Sequence, residues 1–283
     1  MKSLLTLVCG CLVLVACQKD ATDTPAPLPA ESQQDVAYGT DSLQKMDIYL
    51  PAGRTSTSTK VFIMIHGGAW AAGDKAEFNA YKDSLKRRFP GYAIFNINYR
   101  LATGTANFFP AQENDVKAAL EYIYNKRNEY KISDKFVLFG GSAGGHLALL
   151  QAYKYSTPVK IRAVVDFFGP TELVNMYNNP PNPLIPLLLF QVIGGNPSTH
   201  SVMYQQSSPL NFVSAQSPPT IIFHGGLDII VAFSQSVLLK DRLLAEGVTQ
   251  QYFFYPTEGH GWSGSNLGDS FEKIQAFINA NVN

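Results

Sequence analysis

In Gly140-Gly141-Ser142-Ala143-Gly144 a serine stands between pairs of small residues. The apolar run KFVLFG (135–140) gives way there to AGGHLALLQAYKY (143–155). The spacing is G-x-S-x-G, and its flanks read as a strand and then a helix. That is the setting in which this motif lifts a nucleophilic serine onto a tight turn. Glycines two positions before and after the serine keep side chains away from the crossing backbone. A helix starting at Ala143 would aim free N–H groups and its positive dipole end at the space above Ser142. The plainer reading is a glycine turn without chemistry. A serine hydroxyl is a poor nucleophile at neutral pH, so the chemical reading requires a base and a group that orients the base.

The sequence contains five histidines. His66 and His224 end apolar runs, and His200 lies in a proline-rich stretch. His146 sits one turn into the helix after Ser142 and points back along it, a poor geometry for taking the serine proton. His260, in TEGHGW, follows the last apolar run in a glycine-flanked loop and is the candidate base; its alternative is a solvent-facing loop residue. Asp228, in HGGLDIIV, is the candidate acid. It completes the chain order serine, acid, histidine expected with this turn. Aspartate is also a common turn former and helix cap, and Glu172 competes for the acid role. IHGGAW (65–70) resembles the glycine-rich stretch that supplies N–H groups to an oxyanion hole. Gly67 and Gly68, with the N–H of Ala143, are the candidate donors for a tetrahedral intermediate. Ala69 in place of a third glycine costs nothing obvious, because the donor is backbone. Trp70 and Trp262 flank this loop and the base, and either could line a substrate pocket or simply pack in the core. Histidines and carboxylates do not cluster at ligand spacing, so neither a metal nor another cofactor is expected.

These groups must be carried by a sheet. KVFIMIH (60–66), YAIFNIN (92–98), KFVLFG, IRAVVDFFG (161–169), TIIFHG (220–225) and QQYFFYP (250–256) are rich in β-branched and aromatic residues. Runs that continuous suit strands covered on both faces, hence a mostly parallel sheet. LQKMDIYLP (43–51) alternates and predicts an earlier antiparallel strand. Helical patterns at 75–89, 111–130, 143–155, 234–247 and 270–282 alternate with the strands, which predicts an α/β fold with helices on both faces. The connection from Pro170 to about Pro218 is long, proline-rich and, at LIPLLLFQVIGG, too apolar for disorder. It predicts a cap or lid-like insertion over a pocket (170–218).

HGGAWAAGDK, NYRL, GGSAGGHLALL, DFFGPTEL, HGGLDIIV and EGHGW together resemble the α/β-hydrolase esterases and lipases, and most of all the bifunctional xylan acetyl/feruloyl esterases and related carboxylesterases. The resemblance spans almost all of residues 43–282. It implies an α/β-hydrolase fold and a carboxylic ester hydrolase with Ser142 as nucleophile, His260 as base and Asp228 as acid. It also implies that Tyr99, Arg100 and Asp115 are structural supports.

Lys2, the apolar stretch LLTLVCGCLVLVA and Cys17 read as an export signal, too short to span a bilayer comfortably. LVAC (14–17) resembles a lipobox, so residues 1–17 are expected to be a lipoprotein signal ending at a lipidated Cys17. QKDATDTPAPLPAESQQD (18–35) is expected to be a flexible tether, and 36–283 the folded domain. All three cysteines lie in the signal segment. The expected site is therefore the outer membrane, periplasm or surface of a Gram-negative bacterium, with membrane contact through the lipid alone. With 22 basic and 22 acidic residues, nothing points to nucleic acid. The expected partner is a small ester or an acylated or feruloylated polysaccharide. A peptidase or arylformamidase on the same machinery, and a non-catalytic binding protein, are the competing readings.

Overall fold

VFIMI, AIFNI and FVLFGG become the centre of one eight-stranded sheet because helices cover both of its faces. The computed structural model describes residues 26–283; the signal segment, Cys17 and most of the expected tether lie outside the described residues. The strands are β1 (Glu31–Ala37), β2 (Lys45–Leu50), β3 (Val61–Ile65), β4 (Ala93–Ile97), β5 (Phe136–Gly141), β6 (Ile161–Phe167), β7 (Thr220–Gly225) and β8 (Gln250–Tyr255). Their order is β1-β2-β4-β3-β5-β6-β7-β8. β2 runs antiparallel to β1 and β4. From β4 to β8 all neighbours are parallel.

The period-two rule divides β3 between two cores. Val61, Ile63 and Ile65 join one cluster, whereas Phe62 and Met64 join the other. The first face holds α2 (Ala111–Asn125), followed by α3 (Arg127–Tyr130), with α4 (Ala143–Lys154) and α8 (Ser234–Ala245). The second holds α1 (Asn79–Arg88), entered through a 3-10 turn at Lys75–Phe78 that Asp74 caps, and the C-terminal α9 (Gly264–Asn281).

The expected tether is too long by five residues, since 31–35 belong to β1. ESQQDVA carries no alternating apolar pattern because both its faces are largely exposed. The backbone ladder to β2 holds it there, with the Asp35 N–H donating to Asp47 Oδ1 at 3.0 Å. A periodicity signal needs one buried face, and an exposed edge strand has none.

The long connection at 170–218 folds into three short helices, α5 (Leu173–Asn178), α6 (Ile185–Ile193) and α7 (Ser201–Gln206), and a 3-10 turn at Pro209–Phe212. It is tied to the first face. His146 Nε2 meets Ser207 O at 2.7 Å, and Thr171 Oγ1 donates to Gln235 O at 2.7 Å. At the other end of the sheet Arg100 clasps buried Asp115, its backbone N–H donating to Oδ2 at 2.8 Å and its Nη2 to Oδ1 at 2.6 Å.

β5 delivers the chain into α4 through the serine turn. Ser142 has φ 54° and ψ −124°, a strained setting for a non-glycine residue. Its N–H donates to Phe167 O of β6 at 2.8 Å, and its carbonyl accepts from His146 N at 3.0 Å. β6 also places Asp166 against the first turn of α4. Asp166 is fully buried, its Oδ1 accepts only the Gly169 N–H at 3.1 Å, and its Oδ2 has no partner. Burial pushes its carboxyl up to about 7, against a smaller opposing effect of the Gly169 N–H. The unfolded chain loses this proton near pH 3.9, roughly the free value, while the folded chain keeps it. Between those values the folded state binds more protons, so stability falls as pH rises. Asp166→Asn is expected to remove that loss. Urea midpoints at pH 5 and pH 8 check it: the wild-type drop between them should shrink in the variant.

Candidate active site

Three loops at the carboxyl ends of β5, β7 and β8 bring Ser142, Asp228 and His260 together. His260 Nε2 lies 2.9 Å from Ser142 Oγ, and His260 Nδ1 lies 2.7 Å from Asp228 Oδ2. Residues separated by 118 positions along the chain thus meet in hydrogen-bonding range. A carboxylate only accepts, so Nδ1 carries a proton and Nε2 is left to accept from the serine hydroxyl. Asp228 is fixed by its own turn, its Oδ1 accepting from Ile230 N at 2.8 Å and Val231 N at 2.9 Å. Burial works to raise the Asp228 pKa, but hydrogen bonds from His224, His260 and Val231 N outweigh it. Together they hold the group well below the usual carboxylate range, so it is ionised at neutral pH.

The other candidates fall elsewhere. Glu172 caps α5 through Val174 N and Asn175 N. His146 is buried, with Trp70 Nε1 donating to its Nδ1 at 3.1 Å, and desolvation lowers its pKa to about 4. His200 contacts Thr199 at the surface.

Above the serine lies the loop after β3. A methyl group at Gly67 would stand 3.1 Å from Gly141 O and 3.4 Å from Ser142 Cβ, so the glycine lets this loop lie tight against the serine turn. Gly68, Ala69 and Trp70 all have positive φ, at 100°, 53° and 60°. The Tyr99 hydroxyl reaches His66 O at 2.9 Å and Gly67 O at 3.1 Å, and His66 Nδ1 donates to Gly67 O at 2.7 Å. Peptide planarity then turns the N–H groups of Gly67 and Gly68 away from Tyr99. Both residues line the cavity that contains Ser142. Ala143, at the N-terminus of α4, adjoins it.

That cavity has a volume of about 420 Å³ and is walled by aromatic rings. Phe78 and Tyr81 stack at 5.0 Å, and Phe168 lies 4.6 Å from the His260 ring. Phe139, Phe167 and Glu77 also line the cavity.

Trp70 and Trp262 need correction as pocket residues, because neither lines the cavity. Trp70 is 2 % exposed and held by His146, and Trp262 is 8 % exposed and donates to Ser270 Oγ at 3.0 Å. An indole N–H needs an acceptor when buried, and both find one inside the core. The lid expectation fares similarly: no residue of 170–218 lines the cavity, whereas Ile230 of the acid loop does. The true wall escaped the sequence reading. Phe78 and Tyr81, three apart on one helical face, and the paired rings of DFFG at the end of β6 were the available signals.

A profile of the BD-FAE family matches residues 46–243. Among curated proteins, "Esterase LipC" of Mycobacterium tuberculosis is 25% identical over 260 residues, covering 86% of this chain and 64% of that relative. The chain therefore spans less than two thirds of that protein's length. Among solved structures, a "Bifunctional GH43-CE" protein of Bacteroides eggerthii superposes with a TM-score of 0.77 at 28% identity, covering 88% of this chain and 35% of that one. A "Truncated form of carbohydrate esterase from gut microbiota" gives 0.76 at 26%, covering 88% and 95%.

Proposed function

Because the chain belongs to the BD-FAE family, we propose that it hydrolyses carboxylic esters through a serine acyl-enzyme. The observation that carries this is the unbroken relay from Asp228 through His260 to Ser142, which lines an aromatic-walled cavity. In this reading Ser142 Oγ attacks the ester carbonyl as His260 Nε2 takes its proton. N–H groups of Gly67, Gly68 and Ala143 hold the oxyanion. The intermediate collapses by expelling the alcohol, which takes the proton from His260. Water, deprotonated by the same nitrogen, then releases the acid and restores Ser142.

The substrate class we favour is an acylated carbohydrate carrying an aryl acyl group of the feruloyl type, over acetyl. An acetyl group would leave most of the 420 Å³ empty, whereas a flat ring can stack on Phe78, Tyr81 and Phe168. The structural relatives described as carbohydrate esterases support the sugar side of this reading. A lipidated Cys17 would hold the enzyme at a membrane surface close to extracellular polymer. Among the described residues no helix is long and apolar enough to cross a membrane. A panel of acetyl, butyryl and feruloyl esters, on sugar and on simple alcohols, tests the reading. Feruloyl sugar esters should give the highest kcat/KM, and a profile that falls as the acyl group grows from acetyl to feruloyl contradicts it.

A further inference from the structure

Asp228 has a second histidine behind it. His224, on β7, is fully buried, and its Nε2 lies 2.9 Å from Val231 O and 3.3 Å from Asp228 Oδ2, the oxygen that His260 Nδ1 also contacts. A carbonyl only accepts, so Nε2 of His224 carries a proton, and that N–H is shared between Val231 O and the carboxylate. On the far side Nδ1 meets Ser236 Oγ of α8 at 2.7 Å, which fixes the ring plane. One oxygen of the acid therefore faces two imidazole N–H groups. Its other oxygen is taken by the Ile230 and Val231 amides.

Resting on the serine-hydrolase reading, we propose that His224 is a positioning residue that shares the Asp228 carboxylate with His260 and thereby limits how strongly the acid holds the protonated base. A carboxylate with two ring donors offers less charge to each than a carboxylate with one. With His224 in place, His260 is oriented by Asp228 yet still gives up its proton to the leaving alcohol and to solvent. Without it, His260 is the titratable group left against Asp228 among the described residues; beside His260 itself, Phe168 is apolar and Glu258 of the same loop is bonded to Asn266. The imidazolium then persists to higher pH, where it cannot accept the serine proton.

Two amide variants separate this from packing. His224→Gln keeps an N–H that reaches Asp228, whereas His224→Asn keeps polarity but is too short. In purified full-length protein, His224→Asn should move the acid limb of the kcat/KM profile upward by about one pH unit, so that at pH values below that limb activity falls about tenfold with KM held. His224→Gln should stay within about threefold of wild type with its acid limb near the wild-type position. The downfield proton resonance of His260 Nδ1–H, which needs no turnover, should shift further downfield in the asparagine variant alone. The proposal is overturned if the two variants lose activity equally with the acid limb and resonance unmoved, or if His224→Asn behaves as wild type. A wild-type protein without esterase activity would instead sink the reading beneath it, and the resonance would still report on the shared carboxylate.

Discussion

Ser142→Ala is expected to lower kcat on any ester the wild type cleaves by about 10⁴-fold or more, with KM little changed. Among the described residues, Ser142 Oγ is the hydroxyl that meets His260 Nε2. His260 by itself could at best activate water. The residual rate of such variants comes from the oxyanion donors and substrate binding, which this change leaves in place. Folding should survive, because the Ser142 backbone bonds to Phe167 O and His146 N do not involve the hydroxyl. Steady-state kinetics on a feruloyl or butyryl ester, with circular dichroism to confirm the fold, reads both effects.

The second large effect is structural and lies two residues on. A methyl group at Gly144 would stand 2.0 Å from Ile65 O and 2.5 Å from His66 O. Both are backbone atoms at the end of β3, where the chain enters the HGGAW loop, so neither can swing aside. Gly144→Ala must push α4 away from β3, and with it the serine away from Gly67. A loss of about 3 kcal/mol or more is expected, corresponding to a fall in Tm of roughly 6–12 °C for a domain of this size. Gly268, in α9, supplies the control. Nothing lies within 4 Å of a methyl group there, so Gly268→Ala should be neutral or stabilising by up to about 1 kcal/mol. Thermal melts of the two variants beside wild type check the contrast, and equal melting of all three would contradict it.

The strands that carry the site were legible because each is a buried run: FVLFGG, IRAVVDF and TIIFHG leave almost no surface exposed. The serine turn and the acid loop were legible because each combines a reactive side chain with glycines pressed against neighbouring backbone, and the histidine loop because His260 stands between two glycines, Gly261 having φ 102°. β1 was not, since an exposed edge strand held by its ladder has no hydrophobic period to read. The helices at 173–206 were hidden by prolines and asparagines that read as loop. Trp70 and Trp262 were misplaced for a different reason. Nearness in sequence to a catalytic loop says nothing about which side of that loop a ring occupies, and both turn into the core. The aromatic wall comes from three separate segments, so tertiary packing decides it, not local pattern. His224 was seen only as the end of a strand; its shared carboxylate depends on the return of the acid turn over β7.

The central claim is that Ser142 is the covalent nucleophile, activated by His260. A fluorophosphonate mimics the ester carbonyl and stays on the serine that attacks it. Trypsin cleavage after Lys135 and Lys154 isolates the segment 136–154 around Ser142. Mass spectrometry of wild type should find the adduct on Ser142 in that peptide, with esterase activity lost in parallel, and no adduct on Ser142→Ala. An adduct at another residue, or ester hydrolysis that persists in fully modified protein, would contradict the account.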